Sequence, residues 1–107
     1  MKFYYNGKLV RTSKTMVYKY AIINTNNGKT VKCSKNMKGI EQGMSDLNEN
    51  MRFYQKVKSM KDGSKAKKEA IEWIKKYQGF NTLDEAIEAH NKWIKRFVIV
   101  ELEMRED

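Results

Sequence analysis

Apolar residues follow two rhythms along this chain, and the first gives way to the second once, near residues 35–43. Before the change, Val, Ile, Tyr, Phe and Thr fall in short runs broken by two Asn-Gly pairs, Asn6-Gly7 and Asn27-Gly28. After it, apolar positions recur at three- and four-residue intervals. Asn-Gly tolerates the positive φ that both central positions of a two-residue hairpin turn require. Around Asn6-Gly7 that turn sets Tyr5 opposite Lys8, Tyr4 opposite Leu9, Phe3 opposite Val10 and Lys2 opposite Arg11, with neither face purely apolar. Around Asn27-Gly28 it pairs Ile22 with Cys33 and Asn24 with Val31. Tyr18, Tyr20, Ile22, Val31 and Cys33 then form a core face, and Lys19, Ala21, Ile23, Thr30 and Lys32 a mixed, basic outer face.

Met44, Leu47, Met51, Tyr54, Val57 and Met60 make a helical stripe that stops at Lys61-Asp62-Gly63. Ser64 caps a second helix whose buried face is Ala66, Ala70, Trp73, Ile74 and Tyr77, and Gly79 ends it. Thr82-Leu83-Asp84-Glu85 fits a capping box and opens a third helix burying Leu83, Ala86, Ile87, His90, Ile94 and Phe97. The following FVIVELE alternates as a strand does, but no Gly, Pro or Asn separates it from the helix. The expectation is a helix continuous to about residue 104, with a final strand joining the sheet as the alternative. The fold class is therefore α+β: one domain over 1–107, in which N-terminal antiparallel hairpins of three or four strands (basic region 1–35) pack on about three C-terminal helices (44–105).

Charge changes this picture. The chain carries a formal net charge of +9. Eighteen Lys against four Arg, with nine Asn and no proline, suit an AT-rich coding sequence, so the total alone says little. Its distribution says more: residues 1–40 hold nine cations and no acid, while residues 41–107 hold thirteen of each. Tyr4, Tyr5, Tyr18 and Tyr20 lie among these cations, as aromatics do in single-strand binders, where rings stack bases and lysines hold phosphates. Lysine is a point charge suited to phosphate contact, so weak sequence preference and strong salt dependence are expected. The competing view is that the tyrosines are core and the lysines guard a sheet edge. A second basic group, Lys65, Lys67 and Lys68, falls at a helix N-terminus, where the dipole disfavours cations. That placement hints at a contact site, against the plainer reading of a solvated loop.

Signatures of catalysis are missing from the sequence. His90, the one histidine, lies on an apolar helical face without metal-ligand spacing around it. Cys33 falls on a core face without a nearby histidine, and Asp84, Glu85 and Glu88 sit where carboxylates favour a helix N-terminus. Neither GxGxxG nor GxxxxGK[ST] occurs. No catalytic residue, metal ligand or cofactor is assigned, and the chain reads as non-enzymatic. A single cysteine excludes an internal disulfide, and with no signal-peptide pattern the expected compartment is a reducing bacterial cytoplasm. The longest strongly apolar run, Phe97–Val100, is too short to cross a membrane.

KFYYNGKLVRTSKT, the second short hairpin and the helical remainder together resemble small proteins of Firmicutes phages and integrated elements, some of which are anti-CRISPR inhibitors. The resemblance covers the N-terminal third and brings no site residues with it. Its positive charge sets this chain apart from acidic inhibitors that mimic DNA. What it implies is a phage-borne protein that binds a host macromolecule. The expected partner is nucleic acid, or a host protein holding nucleic acid, contacted through Lys8, Arg11, Lys19, Lys29, Lys32 and Tyr4, with Lys65, Lys67 and Lys68 as a second set. A homodimeric assembly protein with incidental charge, and a transcriptional regulator, are the alternatives. A helix through 97–104 exposes Val98 and Leu102, which favours the dimer.

Overall fold

The computed structural model describes residues 1–106 and shows an α+β protein. The chain divides into two compact units, one formed by 1–46 with 95–107 and the other by 47–94.

The first unit holds two three-stranded antiparallel sheets. Strands β1 (Lys2–Tyr5) and β2 (Lys8–Thr12) form the first hairpin, with Asn6 and Gly7 both at positive φ as the turn demands. Tyr5 faces Lys8 and Tyr4 faces Leu9 as expected, but a bulge then sets Phe3 against Arg11 and Lys2 against Thr12. The shift frees Val10 to join the core cluster with Tyr5 and Tyr18. Strands β3 (Tyr20–Asn24) and β4 (Thr30–Ser34) form the second hairpin. Its loop is longer than two residues: the Asn24 and Asn27 side chains accept from the Asn26 and Lys29 amides, and Asn24 N–H donates to Lys29 C=O.

That longer loop slips the register. Ala21, not Ile22, faces Cys33; Ile22 faces Lys32; and a bulge sets Ile23 against Thr30. A one-residue slip exchanges the faces of a strand. Ala21, Ile23, Cys33 and Val100 accordingly make the core cluster, and Val31, expected in it, is 46% exposed. Ile22 is nonetheless fully buried, because helix α1 (Met37–Leu47) covers the opposite face. The sheet is buried on both sides, which simple alternation does not anticipate.

The expected helix through 97–104 is not formed. Strands β5 (Phe97–Glu101) and β6 (Glu103–Arg105) run there instead, β5 beside β3 and β6 beside β1. Leu102 between them donates its N–H to Lys19 C=O and packs into the core cluster, so one bent strand joins both hairpins. β-Branched propensity and alternation outweigh the missing breaker. With Leu102 half-buried, the exposed helical stripe that favoured a dimer does not exist.

The second unit contains α2 (Glu49–Ser59), α3 (Lys65–Trp73), a π-helical turn at Ile74–Gln78, and α4 (Leu83–Ile94). Its core is Tyr54, Val57, Ile74, Leu83 and Ala86. Helix formation begins at Met37 rather than near 44, and breaks at Asn48, whose φ of −93° and ψ of 9° lie outside the helical basin. Ser64 accepts from the Lys67 amide at 3.3 Å and Thr82 from the Glu85 amide at 3.1 Å, as their capping patterns predict. Glu85 reaches back to the amide of Asn81, one residue before the cap.

Expected burial fails at Ala66, at Trp73, which is 45% exposed, and at Tyr77, which is 64% exposed. In a π-turn the hydrogen bond runs to the fifth residue, so three residues fall further short of a full revolution. Tyr77 therefore leaves the face marked by buried Ile74, and Gln78 is half-buried, holding the Tyr54 hydroxyl. Gly79, at φ 75°, ends the turn in the left-handed region. No helix among the described residues is long and apolar enough to cross a membrane.

Candidate nucleic-acid interface

β2 and β4 each have one hydrogen-bonded neighbour, so both are edge strands, and both are basic. Lys8 and Arg11 stand on β2, Lys29 in the turn before β4, Lys32 on β4, and Lys19 just before β3. A groove of about 400 Å³ opens between Tyr5–Val10 of the first hairpin and Ile23–Thr30 of the second. Val10 and Ile23 line it with Lys8, Thr25 and Thr30, so both Asn-Gly turns flank one concavity.

The sheet unit gathers twelve cations against six acids, a net +6, while 47–94 has ten against seven. The acid-free segment is not left without acids nearby. β5 and β6 bring Glu101 opposite Tyr20 and Glu103 opposite Tyr4, with Glu103 also 3.5 Å from Arg105. Yet among the described residues none of the nine cations in 1–40 forms an ion pair, and every ion pair there lies between 62 and 105.

These cations are not equivalent. Lys8, Lys19 and Lys29 are exposed. Arg11 is also exposed, but its guanidinium lies 4.7 Å from the centre of the Tyr18 ring and beside the Cys33 thiol. Burial pushes that thiol up, and Arg11 offsets part of the rise. Lys32 is half-buried: a Cβ placed on Gly43 would stand 2.8 Å from its Cδ, so α1 covers its stem. Three of the four tyrosines have occupied rings. Arg105 covers Tyr4 at 4.5 Å, Tyr18 is held by Arg11 and edge-on by Phe3, and Tyr5 packs against the core. The surface offers cations and few free ring faces.

Lys65, Lys67 and Lys68 belong to the other unit and have other duties. Lys67 Nζ lies 2.6 Å from Asp62 and 3.4 Å from the carbonyls of Lys58 and Met60. Those carbonyls are at the C-terminal end of α2, where a cation is favoured, and this offsets the unfavourable position on α3. Lys65 reaches Glu69 at 3.9 Å, and Lys68 is exposed. Of the helix-start lysines, Lys67 is thus compensated within its own unit.

His90 is buried and donates from Nε2 to Asn48 Oδ1 at 3.1 Å, which leaves Nδ1 as an acceptor. Burial lowers its pKa. Among the described residues no group of three or more His, Cys, Asp and Glu side chains is placed to hold a metal ion. Sequence reasoning missed the neutral cavity beside His90, lined by Asn50, Gln78, Phe80 and Trp93; only the His90–Trp93 spacing pointed to it. No protein family, curated protein or solved structure matches the chain.

Proposed function

We propose that the chain is a non-enzymatic binding protein that docks the basic rim of its sheet unit on the phosphate backbone of a nucleic acid, free or held in a nucleoprotein complex. One observation carries the reading: the nine cations of residues 1–40, several on edge strands and hairpin turns, have no carboxylate partner among the described residues. Phosphates supply the missing countercharge and release condensed ions as they do so. Lys8, Arg11, Lys19 and Lys29 carry the contact; Lys32 supports the strand. Since the tyrosine rings are mostly occupied, discrimination among sequences is weak. Steric occlusion of a bacterial defence effector's nucleic-acid channel is the concrete form suggested by the phage-like texture of the N-terminal third. Fluorescence anisotropy with 16-nucleotide single-stranded DNA, duplex DNA and RNA tests the proposal. Retention at low salt that is lost on Lys8→Glu, Lys19→Glu and Lys29→Glu together supports it. Equal retention by wild type and variant, or no binding at low salt, ends it.

A further inference from the structure

The cavity of the helical unit has different chemistry from the basic rim. It measures about 380 Å³, at the small end of ligand pockets, which run from about 300 to 1,000 Å³. One third of this chain is charged, yet no charged side chain lines the cavity. Four of its eight lining residues carry aromatic rings: Tyr54, Phe80, His90 and Trp93. Two of its polar side chains are held in orientation by hydrogen bonds. Gln78 Oε1 accepts from the Tyr54 hydroxyl, so the free hydrogen-bonding group of Gln78 is its NH2 donor. His90 Nε2–H is committed to Asn48, so Nδ1 presents a lone pair. Asn50 adds an exposed amide able to donate and accept. The π-turn is the device that carries Gln78 here while sending Tyr77 outward, and π-turns recur at functional sites.

We propose that this cavity binds an unpaired nucleobase, its face against Trp93 or Phe80 and its hydrogen-bonding edge on Gln78, Asn50 and His90. A charged ligand group would find no countercharge among the lining side chains. A plain apolar ring would leave both the Gln78 NH2 and His90 Nδ1 unmet, and an indole, whose lone donor can meet only Nδ1, would still leave the Gln78 NH2 unmet, which a site built to hydrogen-bond disfavours. A nucleobase carries donors and acceptors side by side on a flat ring, and both halves of the cavity answer it. The site lies wholly within 47–94, so it stands or falls separately from the basic rim.

The test is a titration of the full chain with adenosine, followed by proton–nitrogen NMR. Saturable shifts confined to residues lining the cavity are expected. Gln78→Leu keeps the side chain's bulk and should weaken binding about tenfold, the worth of one good hydrogen bond. Trp93→Ala should weaken it about fivefold or more through lost stacking. If Trp93→Ala does not fold, Gln78→Glu decides, because it keeps an oxygen for the Tyr54 hydroxyl and removes the NH2 donor, and it too should weaken binding. Adenosine monophosphate should bind no better than adenosine. The proposal is overturned by an absence of saturable shifts at millimolar adenosine, by equal binding to wild type and Gln78→Leu, or by indole binding as tightly as adenosine. Much tighter binding of the monophosphate overturns it as well, since recognition would then lie with the phosphate.

Discussion

Reversing the charge of Lys8 and Lys29 together should halve the salt sensitivity of nucleic-acid binding. Lys8 lines the groove between the hairpin turns and Lys29 follows Gly28 on its other side. Both side chains are exposed and make no ion pair with any described residue, and with Arg11 and Lys19 they make four exposed cations on this rim. Each single-strand phosphate neutralised adds about −0.7 to the slope of log K against log salt, so four contacts give about −2.8. Affinity should then fall about 50-fold between about 50 and 200 mM salt. The variant retains two contacts, a slope of about −1.4 and a loss of about sevenfold over that range, before repulsion from the new carboxylates. Anisotropy of a labelled 16-nucleotide strand at four salt concentrations measures both slopes. Thermal unfolding checks the fold, and surface substitutions of this kind should cost within about 0.5 kcal/mol. A variant slope equal to the wild-type slope would show that phosphates do not lie at the hairpin turns, and would refute the reasoning. Lys32→Glu is a poor substitute, because its stem is covered by α1 and the change would disturb packing.

The remaining predictions concern the scaffold. Gly43→Ala should destabilise by about 1–2 kcal/mol despite alanine's helix preference, because the new methyl would stand 2.9 Å from the Cδ1 of buried Ile22; Ile22→Val should relieve part of the loss in a denaturant titration. Ile74→Ala should cost about 2–5 kcal/mol while Tyr77→Ala stays within about 0.5, a contrast that an unbroken α-helix with Tyr77 buried would not give. His90 is buried in its neutral form, with Asn48, Tyr54 and Trp93 around it. As pH falls below the ordinary value of 6.5, the unfolded chain takes up a proton that the folded chain resists, so stability falls with pH down to the lowered folded-state pKa. Above 6.5 both states are neutral and the effect vanishes. Asp62, held low first by its hydrogen bond from Lys67 and then by that charge, titrates in a more acidic window. His90→Gln should flatten denaturation midpoints measured from about pH 7 to pH 5.

Local chemistry made the first hairpin turn and the caps legible, while the second Asn-Gly turn closes a longer loop than its dipeptide signals. Asn6-Gly7, Ser64, Thr82 and Gly79 do what their side chains, or the lack of one, allow at those positions. What the sequence hid depends on partners distant along the chain. The two bulges, which free Val10 inward and Val31 outward, answer to the core that Val100 and Leu102 complete. Phe97–Glu101 carried strand propensity in full view, but the helical phase through Ile94 ran into it unbroken, and only pairing with β3 decides between them. The π-turn leaves no mark in residue types at all. The basic rim followed from charge counting, and its sorting into exposed Lys8, Lys19 and Lys29 against covered Lys32 required the helix above the sheet. The compensation of Lys67 was hidden because the carbonyls that hold it belong to the preceding helix.

The bent strand through Leu102 also sets an order of events during synthesis. Both hairpins leave the ribosome early, and the helical unit of 47–94 is complete before the strand that links them exists. Until residues 97–105 emerge, each hairpin is a two-stranded ribbon with a third neighbour missing, and two strands alone are barely stable in water. The nascent chain thus exposes four lysine-bearing or Asn-Gly-linked strands with unpaired edges, for the time needed to translate about 60 residues, several seconds at ordinary rates. Lysine on those strands then protects the unfinished protein as well as the finished one, by keeping neighbouring nascent copies from pairing edge to edge.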